Sequence, residues 1–322
     1  MTARKPAAFR FKNIRTMKIL VATEKVFAQV AIRQIREVIE AAGFKLELLE
    51  NYKQISELLD AVSDADAMIV RSDMVTAQVL DASKKLRIVV RAGAGYDNLD
   101  LNACIAHNVV AMNTPGQNSN AVAELVFEML LYHIRGGFSG NSGTELRIKT
   151  IGLHGFGNVG KYVADIAKGF GMDIYAYDPL VSERVMKNHG VKQCSSSEEL
   201  YTKCQYISIH VPCNDKTKKS IGYELLKAMP KNAVLVNTAR KEVIDETGLL
   251  HIFEERPDIS YLSDVEPDCK AVFEEKFKGR FIFTVKKMGA QTEEANINAG
   301  VAAARQIVDY FKTGNEKFKV SK

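Results

Sequence analysis

The sequence has no long apolar run and no closely spaced pair of cysteines, and these two absences exclude several classes of protein. No hydrophobic stretch reaches the ~18 residues that a helix needs to span a bilayer. The five cysteines are widely spaced and form no CxxC pair, so neither a zinc knuckle nor a disulfide framework is indicated. A reducing, cytoplasmic compartment is therefore the expected location.

The chain also has little excess charge once its first residues are set aside. The formal net charge is +5, and residues 1–16 hold only basic charged side chains, which account for the whole excess. Residues 17–322 therefore lack the positive charge that would hold a nucleic-acid backbone. We expect 1–16 to be an unstructured basic extension, and a transit peptide is the alternative.

Short apolar runs alternate with amphipathic stretches along the chain, and this alternation predicts an α/β fold with two Rossmann-like domains. The runs are apolar on both sides, which is typical of parallel sheets covered by helices on both faces. Asn120 is the expected N-cap of the helix at 120–135. Other expected helices are 29–43 and 292–314, and the expected strands are 18–23, 67–72, 86–93, 148–156, 172–178, 206–211, 233–239 and 259–265.

The clearest motif is GFGNVG, which follows an expected strand, opens an expected helix and ends at Gly160. Gly155 would permit the tight turn, Gly157 would let a pyrophosphate approach, and Gly160 would let helix and strand pack closely. The N–H groups at the helix start, around Asn158 and Val159, would face the phosphate charge. The alternative is a glycine-rich turn that binds nothing.

An acid at the end of the next expected strand, Asp178, selects between the two nicotinamide cofactors. Its carboxylate can accept hydrogen bonds from both ribose hydroxyls and would repel a 2′-phosphate, so NAD is expected rather than NADP. His154 stands just before the first glycine, where a spacer is enough, and we expect it to take no part in the chemistry.

Several further segments resemble the D-2-hydroxyacid dehydrogenase family, in order and with similar spacing, from about residue 17 to the C-terminus. They include RAGAGYDNLDL, NTPGQNSNAVAEL, HVPCNDKT, VNTARKEVID, DVEP and GAQTEEA. The resemblance implies a flavodoxin-like substrate-binding domain built from 17–112 and 291–322. It also implies an inserted NAD-binding Rossmann domain at 113–290, through which homodimers would form.

The resemblance implies three catalytic residues, one of an unusual type. Arg240 would hold the substrate carboxylate and polarise the keto oxygen. Glu266 would be the acidic partner, with an ordinary loop acid as the alternative. Lys287 stands where the family has histidine, and no histidine follows His251. Lys286 is the nearest rival, and a water or an outside group is the remaining alternative.

A lysine in that role has a consequence for the pH dependence. Free lysine has a pKa near ~10.4, so its ammonium form is ready at neutral pH to protonate a keto acid. As the base for oxidation it is mostly in the wrong protonation state. We therefore expect oxidation to rise with pH well into the alkaline range.

Substrate contacts are implied for six residues, five of them in the first domain. Two match an arginine loop of the family members that oxidise phosphoglycerate, and backbone N–H groups after Arg91 would meet the substrate carboxylate. Arg71 and Arg91, two arginines beside a binding site for a small carboxylic acid, favour a phosphorylated substrate. The alternative is that they pair with acids such as Asp73 or Asp97. The six are Arg71, Ser72, Arg91, Gly93, Ala94 and Asn118.

The remaining cofactor contacts are implied at later strand ends. The nicotinamide side would include Thr238, Ala239 and Asp264. No metal site is expected at His210. The loop along adenosine and pyrophosphate would contribute His210, Val211, Pro212 and Thr217.

The activity implied by the resemblance is NAD-dependent oxidation of D-3-phosphoglycerate to 3-phosphohydroxypyruvate, the entry to L-serine biosynthesis. The chain would be a short form without a C-terminal regulatory domain. One alternative is a glyoxylate/hydroxypyruvate or D-lactate-type reductase. The other is a non-catalytic, NAD-sensing protein similar to a corepressor.

Overall fold

The computed structural model describes residues 16–321, which form two compact units. Residues 16–115 and 296–321 make up the first unit, and residues 116–295 make up the second. The boundaries expected from the sequence are 112/113 and 290/291. The basic extension expected at 1–16 lies, except for its last residue, outside the described residues. Between residues 16 and 321 no helix is long and apolar enough to cross a membrane.

The first unit is built on a parallel sheet of five strands. Its strands are β1 (Lys18–Thr23), β2 (Lys45–Glu50), β3 (Ala67–Val70), β4 (Ile88–Arg91) and β5 (Val110–Asn113). The strand order β2-β1-β3-β4-β5 is that of flavodoxin-like sheets. The helices that follow the first four strands are α1 (Gln29–Ala41), α2 (Ile55–Val62), α3 (Ala77–Ala82) and α4 (Leu101–Ala106).

Helical periodicity explains how this sheet is covered. In α1 the buried positions Ala31, Ile35 and Ile39 recur every fourth residue and pack on the sheet in one apolar cluster. The chain end protects the sheet edge, because residues near the C-terminus pair antiparallel with β5 through the Met112–Lys319 bridge.

The second unit is built on a parallel sheet of seven strands. They are β6 (Thr150–His154), β7 (Asp173–Tyr177), β8 (Lys192–Gln193), β9 (Tyr206–Ile209), β10 (Val234–Asn237), β11 (Ser260–Ser263) and β12 (Phe281–Phe283). Their order in the sheet is β12-β11-β10-β9-β6-β7-β8. The order reverses between β6 and β9, which is where doubly wound sheets bind ligands at the carboxyl ends of their strands. From Asn296 onward, the last helix belongs to the first unit. The helices from this part of the chain are α5 (Ser119–Ile134), α6 (Asn158–Gly169), α7 (Glu183–Asn188), α8 (Ser197–Lys203), α9 (Tyr223–Ala228), α10 (Glu246–Glu255), α11 (Lys270–Lys276) and α12 (Glu293–Thr313).

The predicted α/β class with two parallel sheets is confirmed, and each expected strand contains an observed one. One cap was wrong: α5 begins at Ser119 with Asn118 as its N-cap residue. The amide of Asn120 instead donates to Glu124 Oε1 at 2.7 Å on the helix surface. Strands that the sequence did not predict are β2, β5, β8 and β12, which are short or carry charged residues.

Candidate active site

The glycine-rich turn after β6 has the geometry that a dinucleotide requires. Gly155 has φ +99°, and a Cβ there would lie 2.8 Å from the His210 carbonyl oxygen. A Cβ on Gly160 would lie 2.6 Å from the Gly155 carbonyl oxygen. At Gly157, by contrast, no atom lies within 4 Å of where a Cβ would stand. Two of these glycines are therefore required by packing, and the third leaves open space beside the N-terminus of α6.

Asp178 directly follows β7 and ties the glycine-rich turn to the next loop. Its Oδ2 accepts a hydrogen bond from the Phe156 N–H at 2.8 Å, and its Oδ1 accepts one from the Leu180 N–H at 2.9 Å. A carboxylate has further lone pairs on both oxygens, so these bonds hold the group in place and leave acceptor capacity for ribose hydroxyls.

Two histidines at the ends of adjacent strands, His154 in β6 and His210 directly after β9, are neutral at physiological pH. Burial lowers the pKa of His154 to about 4 and the pKa of His210 to about 3. His154 Nδ1 lies 3.3 Å from the Tyr201 hydroxyl, and His210 Nε2 lies 2.8 Å from Ser208 Oγ. Both imidazoles therefore have interior partners. Within residues 16–321, no cluster of histidine, cysteine and acidic side chains has the geometry of a metal site.

The loop that follows His210 is held by its own side chains. Thr217 Oγ1 donates to the Pro212 carbonyl oxygen at 2.5 Å and accepts from the Asn214 N–H at 2.9 Å. Thr217 thus closes the exposed loop that follows Val211. The contact of this loop with the cofactor stays a prediction.

The turn after β10 combines a buried amide that shapes it with a hydroxyl that lacks a partner. Asn237, which the sequence reasoning missed, accepts from the Ala239 N–H at 2.9 Å and donates to the Arg240 carbonyl oxygen at 3.0 Å. Thr238 Oγ1 is buried and has no hydrogen-bond partner among the described residues. A buried hydroxyl normally has a partner, so a polar ligand group at this strand end would fit. Together with the open space at Gly157, the residues present fit a nicotinamide dinucleotide.

Two cations meet at the same backbone oxygen beyond that turn. Arg240 Nη1 and Lys287 Nζ donate to the Ala239 carbonyl oxygen at 3.0 Å and 3.2 Å. The sheet register explains the meeting, because Asn237 pairs with Ser263 and Ser263 pairs with Phe283, so the three strands end side by side.

The other lysine and the predicted acid have different surroundings. Lys286 is exposed and has no hydrogen bond or ion pair to another described residue. The Glu266 carboxylate forms an ion pair with Lys270, the first residue of α11, four positions further along the chain. The structure therefore brings Lys287 and Arg240 together, whereas Glu266 is joined to a third lysine that the sequence reasoning did not consider.

Asp264, expected beside the nicotinamide, is fully buried and accepts three hydrogen bonds from the loop that carries the lysines. The Met288 N–H and the Gly289 N–H donate at 2.6 Å and 2.8 Å, and Thr284 Oγ1 donates at 3.1 Å.

In the first unit, Arg71 follows β3 and has only neutral partners for its guanidinium. Nη1 donates to the carbonyl oxygens of Lys25 and Val26 at 3.1 and 3.2 Å, and Nη2 donates to Asn296 Oδ1 at 2.5 Å. The group lies 4.9 Å from the centre of the Phe27 ring. Burial lowers the pKa of Arg71, but an arginine remains charged at neutral pH.

Asp73, the expected acidic alternative, forms no ion pair with this guanidinium, although its charge partly offsets the effect of burial on the Arg71 pKa. Its carboxylate accepts from the Glu24 N–H at 2.7 Å, the Tyr52 hydroxyl at 3.0 Å and the Arg71 backbone N–H at 3.2 Å. No carboxylate of residues 16–321 lies within ion-pair distance of the Arg71 guanidinium. The neighbouring Ser72 is exposed.

The loop after β4 is shaped by a second arginine. Arg91 Nε donates to the Arg71 carbonyl oxygen at 3.0 Å, and a Cβ on Gly93 would lie 1.4 Å from Arg91 Nη1. The Gly93 N–H donates to the Arg91 carbonyl oxygen at 2.9 Å, so the loop already engages this N–H. The Ala94 carbonyl oxygen accepts from Asn113 Nδ2 at 2.6 Å, which makes Asn113 a support that the sequence reasoning missed.

Comparisons with known proteins agree with this fold and with an NAD-binding unit. Residues 132–276 match the family model described as D-isomer specific 2-hydroxyacid dehydrogenase, NAD binding domain. A D-3-phosphoglycerate dehydrogenase of Methanocaldococcus jannaschii is 33% identical over 86% of this chain and 54% of its own length. A hydroxypyruvate reductase of Thermotoga maritima is 31% identical over 82% of this chain and 90% of its own. The chain thus spans about half the length of the first of these relatives.

A solved structure is similar over nearly the whole chain. The NAD⁺-bound 3-phosphoglycerate dehydrogenase of Entamoeba histolytica has 49% sequence identity and a TM-score of 0.84, covering 95% of this chain and 99% of that one. The parallel sheets and the glycine-rich turn, together with these similarities, define an NAD-binding oxidoreductase of the Rossmann class. The chain belongs to the D-isomer specific 2-hydroxyacid dehydrogenase family. The prediction of NAD as the cofactor is confirmed by the NAD-binding model.

Proposed function

We propose that the protein transfers a hydride between NAD and a phosphorylated 2-hydroxy acid, with D-3-phosphoglycerate and 3-phosphohydroxypyruvate as the substrate pair of L-serine biosynthesis. The observation that carries the substrate assignment is Arg71, a half-buried cation whose hydrogen-bond partners in the protein are all neutral. Such a cation favours an anionic ligand, and a guanidinium suits a phosphate group in particular. The similarity to the dehydrogenases from Methanocaldococcus and Entamoeba supports the same choice.

We assign the reacting end of the substrate to Arg240 and Lys287. When bound, NAD supplies the hydride acceptor at its nicotinamide ring. In oxidation, the Lys287 amine takes the hydroxyl proton as the C2 hydride leaves, and the Arg240 guanidinium stabilises the negative charge on the oxygen. In reduction, the Lys287 ammonium returns that proton to the same oxygen.

Two observations support Lys287 rather than Lys286 or a histidine as the acid/base group. Lys287 Nζ shares the Ala239 carbonyl oxygen with Arg240, whereas the Lys286 side chain has no hydrogen bond or ion pair to another described residue. The last histidine of the chain, His251, lies on α10, where it pairs with Glu255 at 3.1 Å and stacks on Tyr223. The His251 imidazole therefore contacts Glu255 and Tyr223 on the helices α10 and α9, and not Arg240 or the Ala239 carbonyl oxygen.

The closest rival function is a reductase for the non-phosphorylated keto acid, because the Thermotoga hydroxypyruvate reductase matches over 90% of its length. The kcat/KM values for hydroxypyruvate and its phosphate ester separate the two. The phosphorylated substrate should be preferred at least tenfold if Arg71 receives the phosphate, since a charge-assisted hydrogen bond contributes about 1.5–3 kcal/mol.

The central experiment follows NADH consumption with 3-phosphohydroxypyruvate in wild type, Lys287→Ala and the matched control Lys286→Ala. We expect Lys287→Ala to lower kcat by about 10²–10⁴-fold, the usual contribution of general acid catalysis, and Lys286→Ala to stay near wild type. Equal losses in both variants would contradict the assignment. NADH binding without turnover of any keto acid would favour a non-catalytic, NAD-sensing role.

We further propose that the protein is a cytoplasmic homodimer that associates through its NAD-binding unit. That unit exposes Phe138 at 73% and Ile148 at 81%, and Phe138 packs edge-on against Tyr132. Phe138 and the 44% exposed Tyr132 therefore form a contiguous apolar patch, and such patches are found at protein–protein interaction sites. Light scattering of wild type and Phe138→Ser tests the oligomer, which should shift toward monomer in the variant.

A further inference from the structure

We propose that Asp264 is a positioning residue that holds the lysine-bearing loop, 284–289, at the site through three hydrogen bonds. This inference rests on the proposed function, because the loop matters to catalysis only if Lys287 is the acid/base group. It also assigns the buried carboxylate a task different from the nicotinamide contact that the family resemblance implies.

The strand register brings the carboxylate and the loop together. Ser263 at the end of β11 pairs with Phe283 at the end of β12. The next residues along the two strands, Asp264 and Thr284, are therefore neighbours at the same edge of the sheet. Thr284 Oγ1 donates to Asp264 Oδ1 at 3.1 Å, and the Thr284 N–H donates to the Ser263 carbonyl oxygen at 3.1 Å.

The same carboxylate then binds the far end of the loop. Oδ1 accepts the Met288 N–H at 2.6 Å, and Oδ2 accepts the Gly289 N–H at 2.8 Å. These two donors directly follow Lys287, so the carboxylate fixes the backbone next to the amine. Hydrogen bonds to an ionised carboxylate are roughly twice as strong as neutral ones.

Apolar packing contributes little to holding the tip of this loop. Val285 is 93% exposed and Met288 is 45% exposed, and both lysines between them are exposed as well. Gly289 is buried, and a Cβ there would lie 2.9 Å from Asp264 Oδ2, so glycine permits the close approach of its N–H to the carboxylate. The loop position therefore depends on polar bonds, and Asp264 accepts three of them.

The position of the amine is what these bonds determine. Lys287 Nζ lies 3.2 Å from the Ala239 carbonyl oxygen, which also accepts from Arg240. Proton transfer requires the amine within hydrogen-bond reach of the substrate oxygen. A displacement of about 1 Å in a reacting group can lower the rate by about 10²-fold.

The test uses Asp264→Asn and Thr284→Val, with Thr313→Val as the matched control. Thr313 Oγ1 donates to Asp309 Oδ1 at 3.0 Å in the first unit, so its variant also removes a hydroxyl-to-carboxylate bond. Three quantities are measured: amide hydrogen exchange of the peptide covering 284–291, the dissociation constant for NADH, and kcat with KM for 3-phosphohydroxypyruvate.

We expect Asp264→Asn to speed exchange at residues 288 and 289 by about tenfold or more, since a hydrogen bond to a charged acceptor is lost. The kcat should fall by about 10²-fold, while KM and the NADH dissociation constant stay within about threefold of wild type. Thr284→Val should show a smaller change of the same kind, and it keeps the proposal testable if Asp264→Asn does not fold. Thr313→Val should leave all three unchanged.

Unchanged exchange at 288 and 289 in both loop variants would overturn the proposal. So would faster exchange with unchanged kcat, because the loop would then be held without consequence for catalysis. A rise of tenfold or more in the NADH dissociation constant would overturn it in favour of a direct cofactor contact. If wild type turns over no keto acid, the proposed function fails, and the exchange result still decides whether Asp264 holds the loop.

Discussion

Replacement of Arg71 by methionine tests the substrate assignment most directly. Methionine keeps a long apolar side chain against Phe27 and removes the positive charge, whose hydrogen-bond partners in the protein are all neutral. We expect the loss to affect substrates that carry a phosphate and to spare those that do not.

The magnitude follows from the hydrogen bonds of the guanidinium. Its bonds to Lys25, Val26 and Asn296 leave further N–H donors for a phosphate. Loss of one such charge-assisted bond costs about 1.5–3 kcal/mol, which corresponds to about 10–100-fold in kcat/KM. The free energy of unfolding should also fall, by about 1–3 kcal/mol, because neutral-partner bonds in the first unit are lost.

The assay compares kcat/KM for D-3-phosphoglycerate and D-glycerate in wild type, Arg71→Met and the control Arg87→Met. Arg87 stacks on Phe311 with 5.1 Å to the ring centre, so its variant also removes an arginine–aromatic contact. The ratio of the two kcat/KM values should fall in Arg71→Met and stay constant in Arg87→Met. An equal loss for both substrates in Arg71→Met would refute the reasoning.

Three further predictions follow from the same geometry. Oxidation should rise with pH into the alkaline range, because a lysine must lose its proton before it can act as the base, and free lysine does so only near pH ~10.4. A plateau already reached near pH 7 would count against Lys287. Gly157→Ala should weaken NAD binding at least tenfold and leave the thermal stability of the cofactor-free protein near wild type. Gly160→Ala should instead lower that stability, because its Cβ would lie 2.6 Å from a carbonyl oxygen. Calorimetry with and without NAD separates the two effects. Burial lowers the pKa of His154 to about 4, below its unfolded value of ~6.5, so the unfolded state takes up the proton first and stability falls as the pH drops through that window. The loss should approach about 1.4 kcal/mol for each pH unit, and His154→Phe should flatten the denaturation profile between pH 6.5 and 4.

Much of the fold could be predicted because its signals are local. An apolar run such as that of β1 reads as a buried parallel strand without knowledge of its neighbours. The glycines at 155–160 imply a phosphate-binding turn because each is required by local sterics or backbone approach. The short strands β5 and β12 escaped prediction, since a stretch of three or four residues becomes a strand only when a partner lies beside it.

The candidate site was harder to predict because hydrogen-bond partners far apart in sequence determine it. The family resemblance identified Lys287 and Glu266 as candidates, but it did not show that Glu266 pairs with Lys270. The nearest loop acid, Asp73, is likewise a plausible partner for Arg71 by sequence, yet its carboxylate accepts from Tyr52 and from backbone N–H groups instead.

The sequence by itself determined the two parallel sheets and the NAD-binding turn, because periodicity and glycine sterics are properties of short segments. Only the tertiary structure decided that Arg71 has neutral partners and that Asp264 binds the lysine loop. Both outcomes depend on strand register and on contacts over 20 or more positions in the chain, as in the bond between Asp264 and Thr284. The conformational preferences of short segments cannot specify such contacts. Several polar groups in the sequence could bind the same buried charge, and the folded chain decides which of them lies next to it.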